Sequence, residues 1–568
     1  MEDNKQTRCF LCECYGEISD VVDLESIRKG LEHHPRIVSC EKVKSLCLEE
    51  NIDELAKRIP LSPESRVLLG ACSFLARGDA IITGLQKRGI DPKHIELVDL
   101  REGCAWIHRD DPASATKKAG DLINMGIAAL VQRNYSEDLT IEPKQEVLVI
   151  GAGPAGISAA ASLVKLGITV HLLDRAKTPG GLLNLIKKIA PETDGTPQHV
   201  EAFLYTVGNS PLVRYYPGSR ISAVRGSAGD FTVEFTSGSD VKSINVGAVI
   251  IATGARVNLP GSLYRYKELK GVITGIELER SFKGPGMKVT SAVFIQCVGV
   301  RDADRPYCSA ICCPVSLKQA IQLLEENPDA EVTILHRDIM CPGSVLEDYY
   351  RKAMEAGVRF VRYDQDTPPG ILGAEQVEEI RVYDVITGRE RRIDAELVVL
   401  SSPLIPHDDA ARVAELFDLN RDIHGFYEVR SLMHPLETTK DGVLVCGSAR
   451  WPVLARTAIL QGEAAAMKAF ALLNTDQLTA TQISQFKERK FSLALVDRQA
   501  CTGCGNCVAI CPYDACSLEA DQGAYKSTVS QMRCTGCGSC VSVCPNGSIQ
   551  LPEQNALLIG EMLKAAFS

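Results

Sequence analysis

Residues Glu146–Arg175 read EVLVIGAGPAGISAAASLVKLGITVHLLDR. An apolar run leads into a glycine-spaced turn, then a stretch of small and apolar residues long enough for a helix, then a second apolar run. Gly151, Gly153 and Gly156 give the spacing G-x-G-x-x-G. In such a turn the first glycine bends the chain. The second lets backbone amides approach a pyrophosphate at the helix N-terminus, and the third lets the helix pack against the sheet. Asp174 closes the second run, where an acid binds an adenosine ribose. The stretch predicts a βαβ unit carrying a dinucleotide.

Three further stretches choose FAD over NAD. TPGGLLN (178–184) places Gly180 and Gly181 where two-domain flavoproteins approach the isoalloxazine ring. VIIATGA (249–255) resembles their second glycine motif, with Thr253 and Gly254 at its turn. GVLVCGSA (442–449) resembles the late strand that closes over the ribityl chain, with Gly447 at the turn. Ser448 stands where an acid is common, which puts the ribityl contact in doubt but not the fold.

Between the second and third of these stretches another apolar run, Ala292–Ile295, leads into CVGVRDADRPYCSAICC (297–313) and then a helical pattern. A dinucleotide domain puts a glycine loop at this point. Here the loop is long and polar, lacks the later glycines, and carries Cys297, Cys308, Cys312 and Cys313, the four thiolates a [4Fe-4S] cube needs. Spacing alone leaves open whether they bind a cluster or merely pack, since free cysteine is a common core residue. His336 and Arg337, in EVTILHRD, are either the remnant of a nucleotide-phosphate site or, as favoured here, exposed polar residues.

The tail repeats one pattern, CTGCGNCVAICP (501–512) and CTGCGSCVSVCP (534–545). In this two-cluster ferredoxin spacing three close thiolates grip one cube and the fourth crosses to the other. Cys501, Cys504, Cys507 and Cys544 are expected to hold one cluster, and Cys534, Cys537, Cys540 and Cys511 the second. Zinc sites do not usually show this spacing.

The 568 residues carry a net charge of -10 and 22 cysteines. The negative charge argues against nucleic acid as the main partner. No run of apolar residues is long enough to cross a membrane, and the N-terminus has no secretory pattern, so a reducing cytoplasmic location is expected. Tight cysteine clusters there point to metal rather than disulfides.

The order of segments looks like that of thioredoxin reductase: half an FAD domain, an inserted Rossmann-like domain, then the FAD remainder. The fold class expected is therefore α/β, a two-dinucleotide-binding-domain flavoprotein with a cysteine-rich N-terminal domain and a two-cluster ferredoxin tail. Expected boundaries are 1–143, 144–260, 261–405, 406–492 and 493–568.

The loop at 297–313 with the lysine that follows, the stretches FLCECYGEISDVVD, GACS and REGCAWIHRDDPASATKKA, and the ferredoxin tail together resemble the HdrA-like family of heterodisulfide reductase. The resemblance spans nearly the whole chain and lacks the extra ferredoxin insert of some methanogen members. It implies an FAD- and iron–sulfur-containing electron-transfer subunit, in some members one that bifurcates electrons. It favours a cluster at Cys297, Cys308, Cys312 and Cys313, and sets Lys318 near flavin N5, where a cation would stabilise reduced flavin. Without the resemblance, Lys318 reads as an ordinary surface lysine. A further cluster is implied in the N-terminal domain, with Cys12, Cys14, Cys47, Cys72 and Cys104 as five candidates for four places. Cys12 and Cys14 compete, and zinc is the alternative. Cys9, Cys40, Cys341, Cys446 and Cys516 look like extras. Implied partners are the other subunits of such a complex, its hydrogenase- or dehydrogenase-linked components and ferredoxin, around a homodimer. The competing expectation is a self-sufficient NAD(P)H:ferredoxin oxidoreductase or a disulfide reductase using Cys308 with Cys312 or Cys313.

Overall fold

A computed structural model of the chain describes residues 7–62, 65–132, 140–191, 196–475, 478–479, 493–521, 523–530, 534, 536–551 and 556–567. Most of the polar linker expected at 133–145, and the segment before 493, lie outside the described residues. The chain divides into two compact units, Met1–Thr140 with Thr479–Ser568, and Ile141–Leu478. Among the described residues no helix is long and apolar enough to cross a membrane.

The first unit opens with four strands, β1 (Thr7–Cys12), β2 (Ile37–Val43), β3 (Arg66–Ala71) and β4 (Ile95–Asp99), all parallel in the order β2-β1-β3-β4. β1 and β3 are central and wholly or almost wholly buried, so they read as continuous apolar runs. Helix α1 (Pro112–Gln132) covers the sheet with buried Ala115, Ala119, Ile123 and Ile127.

The second unit holds two parallel sheets. In the first, β5 (Glu146–Ile150), β6 (Thr169–Leu173), β7 (Val213–Tyr216), β8 (Ala248–Ile251) and a last strand, Val443–Val445, run in the order last-β8-β5-β6-β7. Helix α2 (Pro154–Lys165) follows β5. In the second, β9 (Val272–Thr274), β10 (Ser291–Ile295), β11 (Glu331–His336), β12 (Arg359–Arg362) and β13 (Leu397–Leu400) run β9-β13-β10-β11-β12. Helix α3 (Gly275–Lys283) follows β9, and α4 (Cys312–Glu326) follows the loop after β10. The core order is the same in both sheets, with β10 in the place of β5. Each sheet also places a three-stranded antiparallel sheet between its third and fourth core strands. The two domains expected from the glycine turn and the cysteine loop are thus built to one plan.

The tail returns to the first unit. Its hairpin, β14 (Cys516–Asp521) and β15 (Ala524–Val529), is antiparallel and separates the two cysteine repeats. The final helix, α5 (Ala556–Phe567), packs along α1.

Candidate redox centres

The glycine turn after β5 has the geometry a dinucleotide requires. Gly151 sits at φ +107, where a side chain would meet Ala252 O at 2.3 Å. A Cβ on Gly156 would meet Gly151 O at 1.8 Å, so the helix lies directly on the turn. A Cβ on Gly153 would meet nothing within 4 Å. Its open side faces a cavity of about 690 Å³. Asp174, at the end of β6, accepts hydrogen bonds from Ala152 N (2.5 Å) and Ala176 N (2.6 Å) and borders the same cavity. Gly181, Thr253, Gly254 and Gly447 also line it, while Gly180 N donates to Ala152 O and braces the wall. Sequence motifs separated by hundreds of residues therefore border one cavity. Open space at Gly153 and a buried Ser402 hydroxyl that has no partner among the described residues fit a guest with polar groups.

The far wall of this cavity comes from the second sheet. Cys312, Val315, Ser316 and Gln319 of the loop and α4 line it, as does Glu279 of α3. Cys312 lies within electrostatic range of Cys297, Cys308 and Cys313, and Cys313 also within range of Cys297, Cys308 and Cys341. Burial pushes the thiols of Cys297, Cys312 and Cys313 upward, Cys313 to about 12 and Cys312 well above its ordinary value, because a lone thiolate is costly in a dry site. The loop is laced to the chain after β13: Tyr307 Oη donates to Leu404 O (3.1 Å), and Leu404 N to Ser309 Oγ (3.0 Å).

Arg337 is expected from the sequence to be an exposed polar residue, and the structure corrects this. Its guanidinium turns back onto the cysteine loop and donates to Val300 O (2.9 Å), Arg301 O (2.8 Å) and Cys297 O (3.3 Å), as well as to Gln365 Oε1 (2.8 Å). A loop that bends through positive φ at Cys297 and Arg301 leaves carbonyls without strand partners, and the planar guanidinium collects three of them. Sequence reading misses this role because no local signal pairs an arginine with a loop some forty residues away.

Lys318 is not a surface lysine. It is 2% exposed and bonds to Lys188 O (3.0 Å) and to the carboxylate of Glu279, itself 1% exposed. Glu279 also accepts from Gln319 Nε2 at 2.6 Å. The lysine thus meets the cavity through Glu279, a residue that sequence reading does not single out.

In the first unit, Cys12, Cys14, Cys47 and Cys72 lie at or just beyond the carboxyl ends of β1, β2 and β3, where open parallel sheets place their sites. Cys12 is within electrostatic range of Cys14 and Cys72, and Cys72 of Cys14 and Cys47. Arg101 Nη1 donates to Cys14 Sγ at 3.3 Å. Cys104 is turned elsewhere, donating to Ala115 O (3.2 Å) and facing Lys118 and Asp99.

In the tail, Cys501, Cys504, Cys507 and Cys544 line one small cavity. Burial raises the Cys501 thiol, but amides of Ser527 and Gly503 and the Ser548 hydroxyl outweigh it and hold the thiol below its ordinary value. Cys544 is lowered in the same way, with Ser548 again a partner. Cys511 lies with Cys540 around buried Cys516, and Cys540 is within range of Cys534 and Cys537. Backbone amides of Ala515, Gly536 and Ala494 point at sulfurs of Cys511 and Cys534, 3.3–3.5 Å away.

Among the described residues, no three Cys, His, Asp or Glu side chains converge on a single ion. A cube differs from zinc in this respect, since each thiolate binds its own iron and the sulfurs stand further apart.

The profile of the pyridine nucleotide-disulphide oxidoreductase family matches residues 145–462, more than half of the chain, and that of the 4Fe-4S dicluster domain matches 494–551. The chain is 27% identical to a CoB--CoM heterodisulfide reductase iron-sulfur subunit of Methanopyrus kandleri, over 92% of each chain. It is 26% identical to a subunit of the H(2):CoB-CoM heterodisulfide,ferredoxin reductase of Methanothermobacter thermautotrophicus, over 90% of each. Thioredoxin reductase of T. acidophilum, a solved structure, matches 58% of this chain and all of its own, at 19% identity and a TM-score of 0.42. The fold is of the FAD/NAD-binding α/β type with a dicluster tail, and the matching domains imply FAD and iron–sulfur clusters. The chain belongs to the pyridine nucleotide-disulphide oxidoreductase family, and it is an oxidoreductase similar along nearly its whole length to the HdrA-type subunits of heterodisulfide reductase.

Proposed function

We propose that the chain is the flavin- and iron–sulfur-bearing electron-transfer subunit of a heterodisulfide-reductase-like complex in the cytoplasm. It would exchange electrons with partner subunits or ferredoxin, either along one route or by bifurcation, around a homodimeric core. The observation that carries this reading is the single cavity that begins at the glycine turn after β5 and ends at Cys312. In a reductase the second sheet brings a nicotinamide to the flavin; here the loop at the corresponding place in the sheet carries four cysteines, and Cys312 among them lines the cavity.

FAD exchanges an electron pair and iron–sulfur cubes pass electrons singly, so the redox chemistry belongs to the cofactors. The chain's own residues hold and tune them. Gly151, Gly153 and Gly156 would seat the pyrophosphate, Asp174 the ribose, and Gly180, Gly181, Thr253, Gly254 and Gly447 would border the rest of the FAD. Cys297, Cys308, Cys312 and Cys313 would hold the central cube. Cys12, Cys14, Cys47 and Cys72 would hold the N-terminal one, with Cys104 left out. The two tail cubes follow the crossed ferredoxin pattern, supported by the shared cavity of Cys501, Cys504, Cys507 and Cys544. Amides aimed at sulfur stabilise the more negative, reduced form of a cluster and raise its potential. Lys318 would act on the flavin side through Glu279, a charge-neutral pair rather than a bare cation.

The test is composition. Anaerobically purified chain should hold about 16 iron and 16 sulfide per FAD, and Cys312→Ala about four fewer iron with FAD retained. About eight iron, unchanged in the variant, would leave only the tail loaded. That would return the loop to an active disulfide and the chain to the self-sufficient reductase.

A further inference from the structure

Cys9 and Cys40 belong to none of the groups above. Cys9 lies in β1 and Cys40 in β2, and the parallel register sets them directly opposite each other. Register partners in neighbouring strands stand about 5 Å apart and project from the same face, within the Cα separation a disulfide spans. Their thiols are near enough for each to shift the other's acidity. Cys9 is fully buried, whereas Cys40 is half-buried on the edge strand of the sheet. The adjacent Cys9 thiol, helped by the charge of Arg28, holds the Cys40 thiol below its ordinary value. Burial and the nearby Glu41 and Glu25 oppose it. The Cys40 thiol and burial in turn raise Cys9. A more exposed, more acidic thiol backed by a buried partner thiol in register is the arrangement of a nucleophilic cysteine with its resolving cysteine. Packing alone would need neither the register match nor this asymmetry.

We propose that Cys9 and Cys40 form a redox-active dithiol that exchanges with low-molecular-weight disulfides. The Cys40 thiolate attacks one sulfur of R–S–S–R, forming a mixed disulfide and releasing one RS⁻. The Cys9 thiol loses its proton and attacks the Cys40 sulfur, forming the Cys9–Cys40 bond and releasing the second RS⁻. Two protein thiols are oxidised, the small disulfide is reduced to two thiols, and the two protein protons end on the leaving groups. The bond would tie β1 to β2, and β1 ends in Cys12.

The experiment uses the full chain, anaerobic and with its iron measured before and after. It is incubated with oxidised glutathione, denatured in iodoacetamide, digested and analysed by mass spectrometry. The expected result is a Cys9–Cys40 linked peptide, two glutathiones released per chain, and unchanged iron. Cys9→Ser should stop at a glutathione adduct on Cys40, and Cys40→Ser should give neither adduct nor link. Alkylation of both cysteines in the unsubstituted chain, with iron intact, overturns the proposal. Linkage of either one to a different cysteine overturns it as well. Should either variant fail to fold, the unsubstituted chain decides alone.

Discussion

The turn after β5 and the loop after β10 occupy the same place in two sheets of the same core order, and they are finished in opposite ways. The first is short, made of glycine, and leads into a helix whose buried face is Gly156 with alanine, isoleucine and leucine, and one serine. The second is long, carries four cysteines, and leads into a helix that buries Ser316, Lys318, Gln319 and Gln322 beside its apolar residues. A glycine turn works by removing side chains so that a ligand can reach the backbone. A loop rich in cysteines, if it binds a cluster as proposed, would work by supplying side chains as the ligands, so its backbone must be held by other means. The difference teaches that one scaffold position can present either bare amides or cysteine side chains, provided the helix behind it adapts.

The largest effect should come from the buried polar face of α4. Lys318→Met leaves the Glu279 carboxylate buried beside the cavity without its ammonium. Removing one member of a buried pair costs about 3–5 kcal/mol. The urea midpoint of the flavin-domain transition, followed by circular dichroism, should fall accordingly. Glu279→Gln combined with Lys318→Met should recover much of the loss. If the single substitution leaves the midpoint in place, the two helices are less different than the structure implies.

Next in size is Gly156→Ala in the other sheet's turn. The added methyl would stand 1.8 Å from Gly151 O, which is backbone and has little room to yield. Overpacking of this kind costs about 1–3 kcal/mol. The variant should be less stable and should be purified with little FAD but with its tail iron intact. FAD bound in full would mean that the helix does not need to touch the turn.

How much of this could be read from the sequence depends on range. The glycine turn, its acid and the ferredoxin repeat are local patterns, because each ligand or amide is fixed by spacing within a dozen or so residues. Choosing among Cys12, Cys14, Cys47, Cys72 and Cys104 is beyond sequence, since it depends on how three strand ends and a helix approach one another. In the fold Cys104 turns toward Ala115 while the other four gather. Lys318 reads as exposed because its partner, Glu279, lies on another helix. Arg337 reads as a surface residue because its partners are carbonyls, which carry no sequence signature.

Arg337 gives a third, smaller effect. Its guanidinium lies within electrostatic range of Cys297 and has no carboxylate partner among the described residues, whereas nearby Arg301 is paired with Asp338 at 2.8 Å. A fixed positive charge beside a cluster favours the added electron. If the loop holds the proposed central cluster, Arg337→Gln should therefore lower its midpoint potential by roughly 60 mV, about a tenfold change for one electron. Arg337→Lys should recover part of it. An EPR redox titration reads this directly, with the central signal identified as the one missing from Cys312→Ala. An unmoved midpoint in the glutamine variant would make Arg337 a clamp and nothing more.

The smallest effect on stability should come from Gly153→Ala, and its value lies in the contrast with Gly156. Gly153 has an ordinary negative φ of -79, and a methyl there would touch nothing within 4 Å. The folded protein without flavin should change by no more than about 0.5 kcal/mol. The methyl would, however, project into the space from which a pyrophosphate must reach the turn amides. Flavin affinity, measured by adding FAD back to stripped chain, should fall while the urea midpoint of the stripped chain holds. Two glycines of one motif would then be separated by cause: Gly156 kept for packing, Gly153 for the ligand. Equal affinity in the alanine variant would place the pyrophosphate elsewhere and remove the main reason for treating the cavity as an FAD site. The cysteine loop, lacking any glycine in the equivalent role, could then no longer be understood as its replacement.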